Sequence, residues 1–135
     1  MTQELVALMN EAGNGHLPER MGIEFIEATA HRVVARMPVQ GNTQPYGLLH
    51  GGASVVLAET IGSTAAAMHA GAGRIAVGIE ISATHHRSAT TGHVTGVATQ
   101  LHGGRTIATY EIVITDDQDR RVCTSRLTCM LRDAS

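Results

Sequence analysis

Two kinds of apolar spacing alternate along this chain. Leu5, Leu8 and Met9 recur at helical intervals between Gln3 and Glu11, and Gly13-Asn14-Gly15 follows, so a short N-terminal helix ending there is expected. Leu17-Pro18 breaks the chain, and residues 21–28 then read as a first strand. In residues 31–39, Val33, Ala35, Met37 and Val39 occupy every second position, the pattern of a strand with one buried face. Gly, Asn and Pro mark residues 41–52 as a loop. Residues 53–70 are small and apolar without alternation, which predicts a helix roughly 27 Å long at ~1.5 Å per residue, stopped by Gly71-Ala72-Gly73. Beyond it the period returns to two. Ile75, Val77, Ile79 and Ile81 alternate, and residues 94–101 form a weaker strand. Ala108, Tyr110, Ile112 and Ile114 share one side of residues 107–115. After a turn at Asp116-Asp117-Gln118-Asp119, residues 121–131 place Cys123, Ser125, Leu127, Cys129 and Leu131 on one face.

The expected order is helix, two short strands, one long helix, then four strands joined by short turns. Tight connections favour antiparallel pairing. One face of such a sheet must be covered, and residues 53–70 are the only long apolar helix available. The expected fold class is α+β, an antiparallel sheet wrapped round one central helix, with residues 1–135 as a single domain. No internal repeat, linker or low-complexity tract interrupts it.

Composition narrows the function. Hydrophobic residues make up 43% of the chain, enough for a real core, but aromatics only 2%. They are Phe25, Tyr46 and Tyr110, so the core is aliphatic and a ligand pocket has few rings to stack on. Too few rings and a formal net charge of −2 argue against a nucleic-acid partner. No apolar run is long and pure enough to cross a bilayer, and the acidic start Met1-Thr2-Gln3-Glu4 lacks a signal peptide's basic region, so a cytoplasmic location is expected. Cys123 and Cys129 lie roughly 20 Å apart along an extended segment at ~3.3 Å per residue, too far for a disulfide, and read as reduced core thiols.

One charge stands out. Between Arg36 and Arg74 the only formally charged residue is Glu59, inside the apolar helix. Buried carboxylates without a partner are costly and usually do chemistry or shift their protonation. Ser63 lies one turn further on the same helix face, and Gln44-Pro45-Tyr46-Gly47-Leu48-Leu49-His50-Gly51-Gly52 leads directly into the helix. The first N–H groups of a helix have no partners within it and carry the positive end of its dipole. Glycine there lets a ligand approach the backbone. A carbonyl oxygen against the Gly51 N–H would be polarised, with Gln44 and His50 as further donors. The bland alternatives are a solvent-facing Glu59, an ordinary glycine turn and a Ser63 bonded back to its own helix. His85-His86 invites a metal reading, but adjacent strand residues point to opposite faces and no HxxxH or HExxH spacing occurs, so no metal is expected. Arg87-Ser88 and His102-Gly103-Gly104-Arg105-Thr106 are basic, small-residue turns, either plain solvated turns or a phosphate clasp.

The stretch QPYGLLHGGASVVLAETIGS, from Gln44 to Ser63, resembles the signature of hotdog-fold acyl-CoA thioesterases. The similarity is strongest to the branch holding the Arthrobacter-type hydroxybenzoyl-CoA thioesterase; the phenylacetate-pathway thioesterases are more distant, with Asp at the position of Glu59. It continues through VGIEISATHHRSA (residues 77–89), LHGGRTIATYEI (101–112) and CTSRLTCML (123–131). The resemblance implies a homodimer joined edge to edge into one sheet, pairing again into a homotetramer, with each site straddling the dimer interface. It implies that Gln44, His50 and the Gly51 N–H of one chain hold the thioester carbonyl. Glu59, as nucleophile or general base, and Ser63 come from the partner chain. It further implies that Gly78, His85, Arg87, Ser88, His102, Gly104, Arg105 and Thr106 contact coenzyme A, which is part of the substrate, so no separate cofactor is expected.

The leading expectation is therefore hydrolysis of an aromatic or medium-sized acyl-CoA. A hotdog-fold hydratase for enoyl thioesters would pair an Asp and a His in a different loop motif, which is missing. A non-catalytic acyl-CoA sensor would typically carry a DNA-binding module, for which the chain is too short and too acidic.

Overall fold

The computed structural model describes residues 2–12 and 15–134. Helix α1 spans Thr2–Ala12 and α2 His16–Arg20; strands β1 (Glu24–Ala28) and β2 (Arg32–Pro38) follow. Helix α3 covers Gly51–Ala70, and the chain closes with β3 (Arg74–His85), β4 (His93–Gly103), β5 (Ile107–Asp116) and β6 (Arg121–Asp133). The expected stop at Gly13-Asn14 lies outside the described residues, whereas Gly15 is the N-cap of α2 with φ 95°. Helix α2 is an addition to the expected elements. Pro18 sits in its first turn, where the missing N–H has no intrahelical partner to lose, so the proline starts a helix instead of breaking the chain. Residues 21–23 accordingly close that helix, and β1 begins only at Glu24.

All six strands join one sheet in the order β1-β2-β4-β5-β6-β3, every pair antiparallel. Consecutive strands pair as expected from β4 to β6, but β3 joins β6 and leaves β2 to meet β4. Residues 86–92 carry the chain across from one edge of the sheet to its middle. The sheet curls round α3, which packs on β2 through β6. Leu57, Ala58, Ile61, Ala65 and Ala66 of the helix are buried against Val33, Met37, Val94, Ala98, Ile112, Ile114 and Leu127. The helix approaches closely because two glycines meet aliphatic side chains. A Cβ on Gly62 would lie 2.7 Å from Leu127 Cδ2, and one on Gly96 2.9 Å from Ile61 Cδ1.

The alternating faces of β2, β5 and β6 are buried as the spacing predicts, including both cysteines, which are free thiols. Strand β3 departs from its simple alternation. The register slips between Gly78 and Glu80, so Ile79 is the extra residue of a bulge. Val77 pairs with the exposed Met130, while Ile81 pairs with the buried Leu127. One inserted residue exchanges faces. Ile75 and Val77 therefore lie on the outer face, and Gly78, Ile81 and His85 on the face toward α3.

Candidate active site

Loop 41–50 is held by its own hydrogen bonds before it meets α3. The side chain of Asn42 donates to the carbonyls of Met21 and Pro38, both at 2.8 Å. Gln44 Oε1 accepts from the N–H groups of Tyr46 (2.5 Å) and Leu48 (3.2 Å), which leaves its NH2 end as the donor for anything bound. The Leu49 N–H donates to Ala89 O at 2.8 Å, tying the loop to the 86–92 crossover.

The helix starts two residues earlier than the apolar spacing indicates, with His50 as its N-cap and Gly51 and Gly52 inside it. His50 Nδ1 accepts from the Gly52 N–H at 2.8 Å. An accepting Nδ1 carries no proton, so the neutral ring has its proton on Nε2, which becomes a donor. The Ala53 N–H is taken by His50 O at 2.9 Å. Gly51 is the first helical residue, and its N–H has no acceptor within the helix. His85 lies over it: a Cβ on Gly51 would sit 3.0 Å from the His85 Nε2. Gln44, Gly51, His85, Arg87 and Ser88 line one open cavity of about 380 Å³, so the structure brings these five predicted residues together. Ser54 and His86 also line it. Ser54 escaped the sequence reading, although its place one turn into the helix, on the side of Gly51, is the available signal. His86 bonds Thr124 Oγ1 at 2.9 Å.

Glu59 lies elsewhere. Eight residues at ~1.5 Å put it about 12 Å along the helix from Gly51. It is half-buried rather than enclosed, and with Pro18, Thr60 and Ser63 it lines an open groove. Its carboxylate fills the space that a side chain on Gly78 would occupy. Gly78, expected with the nucleotide-binding turns, is thus a neighbour of Glu59 in the same chain. Cys129 lies beneath both Glu59 and Ser63. Burial pushes its thiol up, a hydrogen bond from Ser63 opposes that, and the Glu59 charge adds to it. Neither role was visible in the sequence, where Cys129 reads as plain core.

His102, Gly104, Arg105 and Thr106 stand at the far end of α3, about 28 Å from Gly51 at ~1.5 Å per residue. Gly104 O accepts from His69 Nε2 at 2.8 Å, Arg105 O from Arg74 Nη1 at 3.0 Å, and Thr106 O from the Leu131 N–H at 2.8 Å. One chain therefore does not gather the two basic turns into a single clasp. His69 and Arg74, the residues that hold the far turn, carry no motif that would have marked them.

Comparison with known proteins follows the same lines. A family model described as "Thioesterase superfamily" matches residues 46–123. The chain is 50% identical over 120 residues to the proofreading thioesterase EntH of Cronobacter turicensis, covering 88% of each chain. To the EntH of Klebsiella pneumoniae it is 43% identical over 123 residues, 90% of each. Among solved structures it superposes on thioesterase HI1161 of Haemophilus influenzae with a TM-score of 0.90 and 36% identity, covering 95% of this chain and 90% of that one. A mutant of thioesterase PA1618 of Pseudomonas aeruginosa gives 0.90 and 35%, with coverage of 95% and 94%.

Proposed function

Because the chain belongs to the thioesterase superfamily, as a hotdog-fold thioester hydrolase, we propose that it cleaves an aromatic or medium-sized acyl-CoA to the free acid and coenzyme A. The reading rests on Glu59, the one charged side chain of α3, held at an open groove. The thioester carbonyl oxygen accepts from the Gly51 N–H, with the Gln44 NH2 and the His50 Nε2–H as further donors. Charge that develops on that oxygen is met by the positive end of α3.

Reacting atoms must come within ~3.5 Å, and about 12 Å of helix separates Gly51 from Glu59. That mismatch supports a site completed by Glu59 and Ser63 of a second copy. The edge strand β3 supports the same arrangement, since its outer backbone groups have no strand beside them among the described residues. The pairing of such dimers into a homotetramer belongs to the proposal. So does contact of coenzyme A with His85, Arg87 and Ser88, and with the far turn carrying His102 and Arg105 brought in by the second chain. Glu59 either attacks the carbonyl carbon, giving an anhydride as the C–S bond breaks, which water then cleaves at the Glu59 carboxyl carbon to the free acid and the restored carboxylate, or takes a proton from the attacking water. In both routes the thiolate leaves and is protonated by solvent. Oxygen-18 appearing in Glu59 after a single turnover in labelled water marks the first route.

The deciding experiment is thiol release from a panel of acyl-CoAs by the wild type beside Glu59→Gln. The expected result is turnover by the wild type and a loss of roughly 1,000-fold or more in the variant. Full activity of Glu59→Gln removes the assignment.

A further inference from the structure

The glycines that α3 packs against, or carries, do different things. Gly62 and Gly96 leave room for Leu127 and Ile61 and so serve the core. Gly78 leaves room for one group: a Cβ there would collide with Glu59 Oε2, with Glu59 Cδ and Leu127 Cδ1 next at 3.5 Å. Its backbone is not in the left-handed region, so nothing in the chain's own conformation calls for glycine. A glycine in a strand interior weakens the strand and marks a bulge or a close approach. Here both hold, since the bulge at Ile79 follows it directly.

The register explains how the space is made. Gly78 pairs with Cys129, and Cys129 pairs with Ala108 on the other side. Cys129 and Ala108 are fully buried, so this row faces α3 and is small throughout. Before the bulge the exposed Val77 lies on the outer face, and after it Ile81 returns to the inner one. The inner face of β3 thus has its gap directly below Glu59.

We propose that Gly78 is a positioning residue for thioester hydrolysis: the space left by its missing side chain is the seat that fixes the Glu59 carboxylate against the sheet. The inference rests on the reading of Glu59 as the reacting carboxylate. A glutamate on an open groove has several rotamers, most of them aimed at solvent. Seating one oxygen over Gly78 restricts that choice and fixes the second oxygen's direction. A displacement of about 1 Å at a reacting group is enough to lose roughly 100-fold in rate.

The test is Gly78→Ala. The atom in the way is the tip of a flexible side chain, so the fold absorbs the methyl by turning Glu59 outward. Alanine also suits a strand better than glycine. Expected are an unchanged or slightly higher Tm, an unchanged molecular mass in solution, a kcat lower by roughly 100-fold and a KM within about twofold. A rise in KM with kcat preserved would instead make Gly78 a substrate contact and overturn the proposal. The rescue is Glu59→Asp in the Gly78→Ala background, where the shorter carboxylate clears the methyl. Alone, Glu59→Asp lowers kcat; combined with Gly78→Ala it is expected to raise kcat about tenfold over Gly78→Ala, a non-additive cycle. Additive losses, or wild-type kcat in Gly78→Ala, overturn the seat. Glu59→Gln separates the two failures. If it is inactive while Gly78→Ala is fully active, only the seat falls. If it is fully active, the reading of Glu59 falls and the seat with it.

Discussion

The two ends of α3 carry similar residues and do different work. At its N-terminus His50, His85 and Arg87 surround two glycines; at its C-terminus His69, His102 and Arg105 surround Gly103 and Gly104. The first end presents donors: the unshared Gly51 N–H, the His50 Nε2–H, and the Gln44 NH2 freed because its oxygen is occupied. The second end presents acceptors, and they are already used. The carbonyls of Gly104, Arg105 and Thr106 take hydrogen bonds from His69, Arg74 and Leu131. Helix polarity accounts for the free Gly51 N–H at the first end, whereas the carbonyls at the second end belong to the turn between β4 and β5 and are taken up in holding it. A thioester oxygen needs donors, so of the two ends the first is the one suited to the carbonyl.

The sharpest way to break this contrast is to remove one histidine from each end. His50→Ala loses a donor and the cap of α3, and kcat/KM is expected to fall by about 100-fold. His69→Ala only loosens the far turn and should stay within about threefold. Steady-state kinetics on one acyl-CoA checks both, and equal losses would erase the distinction.

The arginines give a smaller, finer comparison. Arg87→Ala should raise KM for an acyl-CoA by about tenfold, the loss of one charge-assisted contact to phosphate. Arg105→Ala should raise it less. An unchanged KM in Arg105→Ala would take the far turn out of the proposed nucleotide contact. Replacing the acyl-CoA with a short acyl-pantetheine should remove either effect.

A change away from both ends should move stability and leave kinetics alone. The Tyr110 hydroxyl donates to Ala30 O at 2.7 Å and accepts from Gln100 Nε2 at 2.9 Å, and burial pushes its ionisation up. Tyr110→Phe leaves the Ala30 carbonyl without this donor and should cost about 1–2 kcal/mol in urea unfolding, with kcat unchanged.

The smallest effect concerns acid. The backbone N–H of Arg120 chiefly, with that of Gln118 and the Arg120 guanidinium, holds the Asp116 carboxyl below its ordinary value. A carboxyl that is more acidic folded than unfolded stabilises fully above its unfolded value, near ~3.9. That contribution is lost as the pH falls through the lower folded value. Stability measured from pH 5 down to about 2 should therefore decline less steeply in Asp116→Asn than in the wild type.

Much of the fold was legible because period is a local property. The faces of β2, β5 and β6 and the body and C-terminal end of α3 follow from spacing that each segment carries by itself. Glu59 stood out for the same reason, as a lone charge in an apolar run. Three features were not legible. Pro18 looked like a break and proved to be in a helix's first turn, because proline serves both and its neighbours decide. The bulge at Ile79 left alternation intact on paper while exchanging faces in space. The pairing of β3 with β6 depended on where residues 86–92 carried the chain.

The chain's own order of residues thus specified most of the elements and marked Gln44, His50, Gly51 and Glu59 as candidates, since each signal is carried by neighbours within a turn or two. Which groups share a space came from packing. His85 reached Gly51, Cys129 came to lie under Ser63, and Gly78 opened a seat for Glu59 only because a curled sheet brings distant segments against one helix. Periodicity fixes the face on which a side chain stands, but a contact between residues far apart in sequence requires strand order, register and the bulge to agree at once.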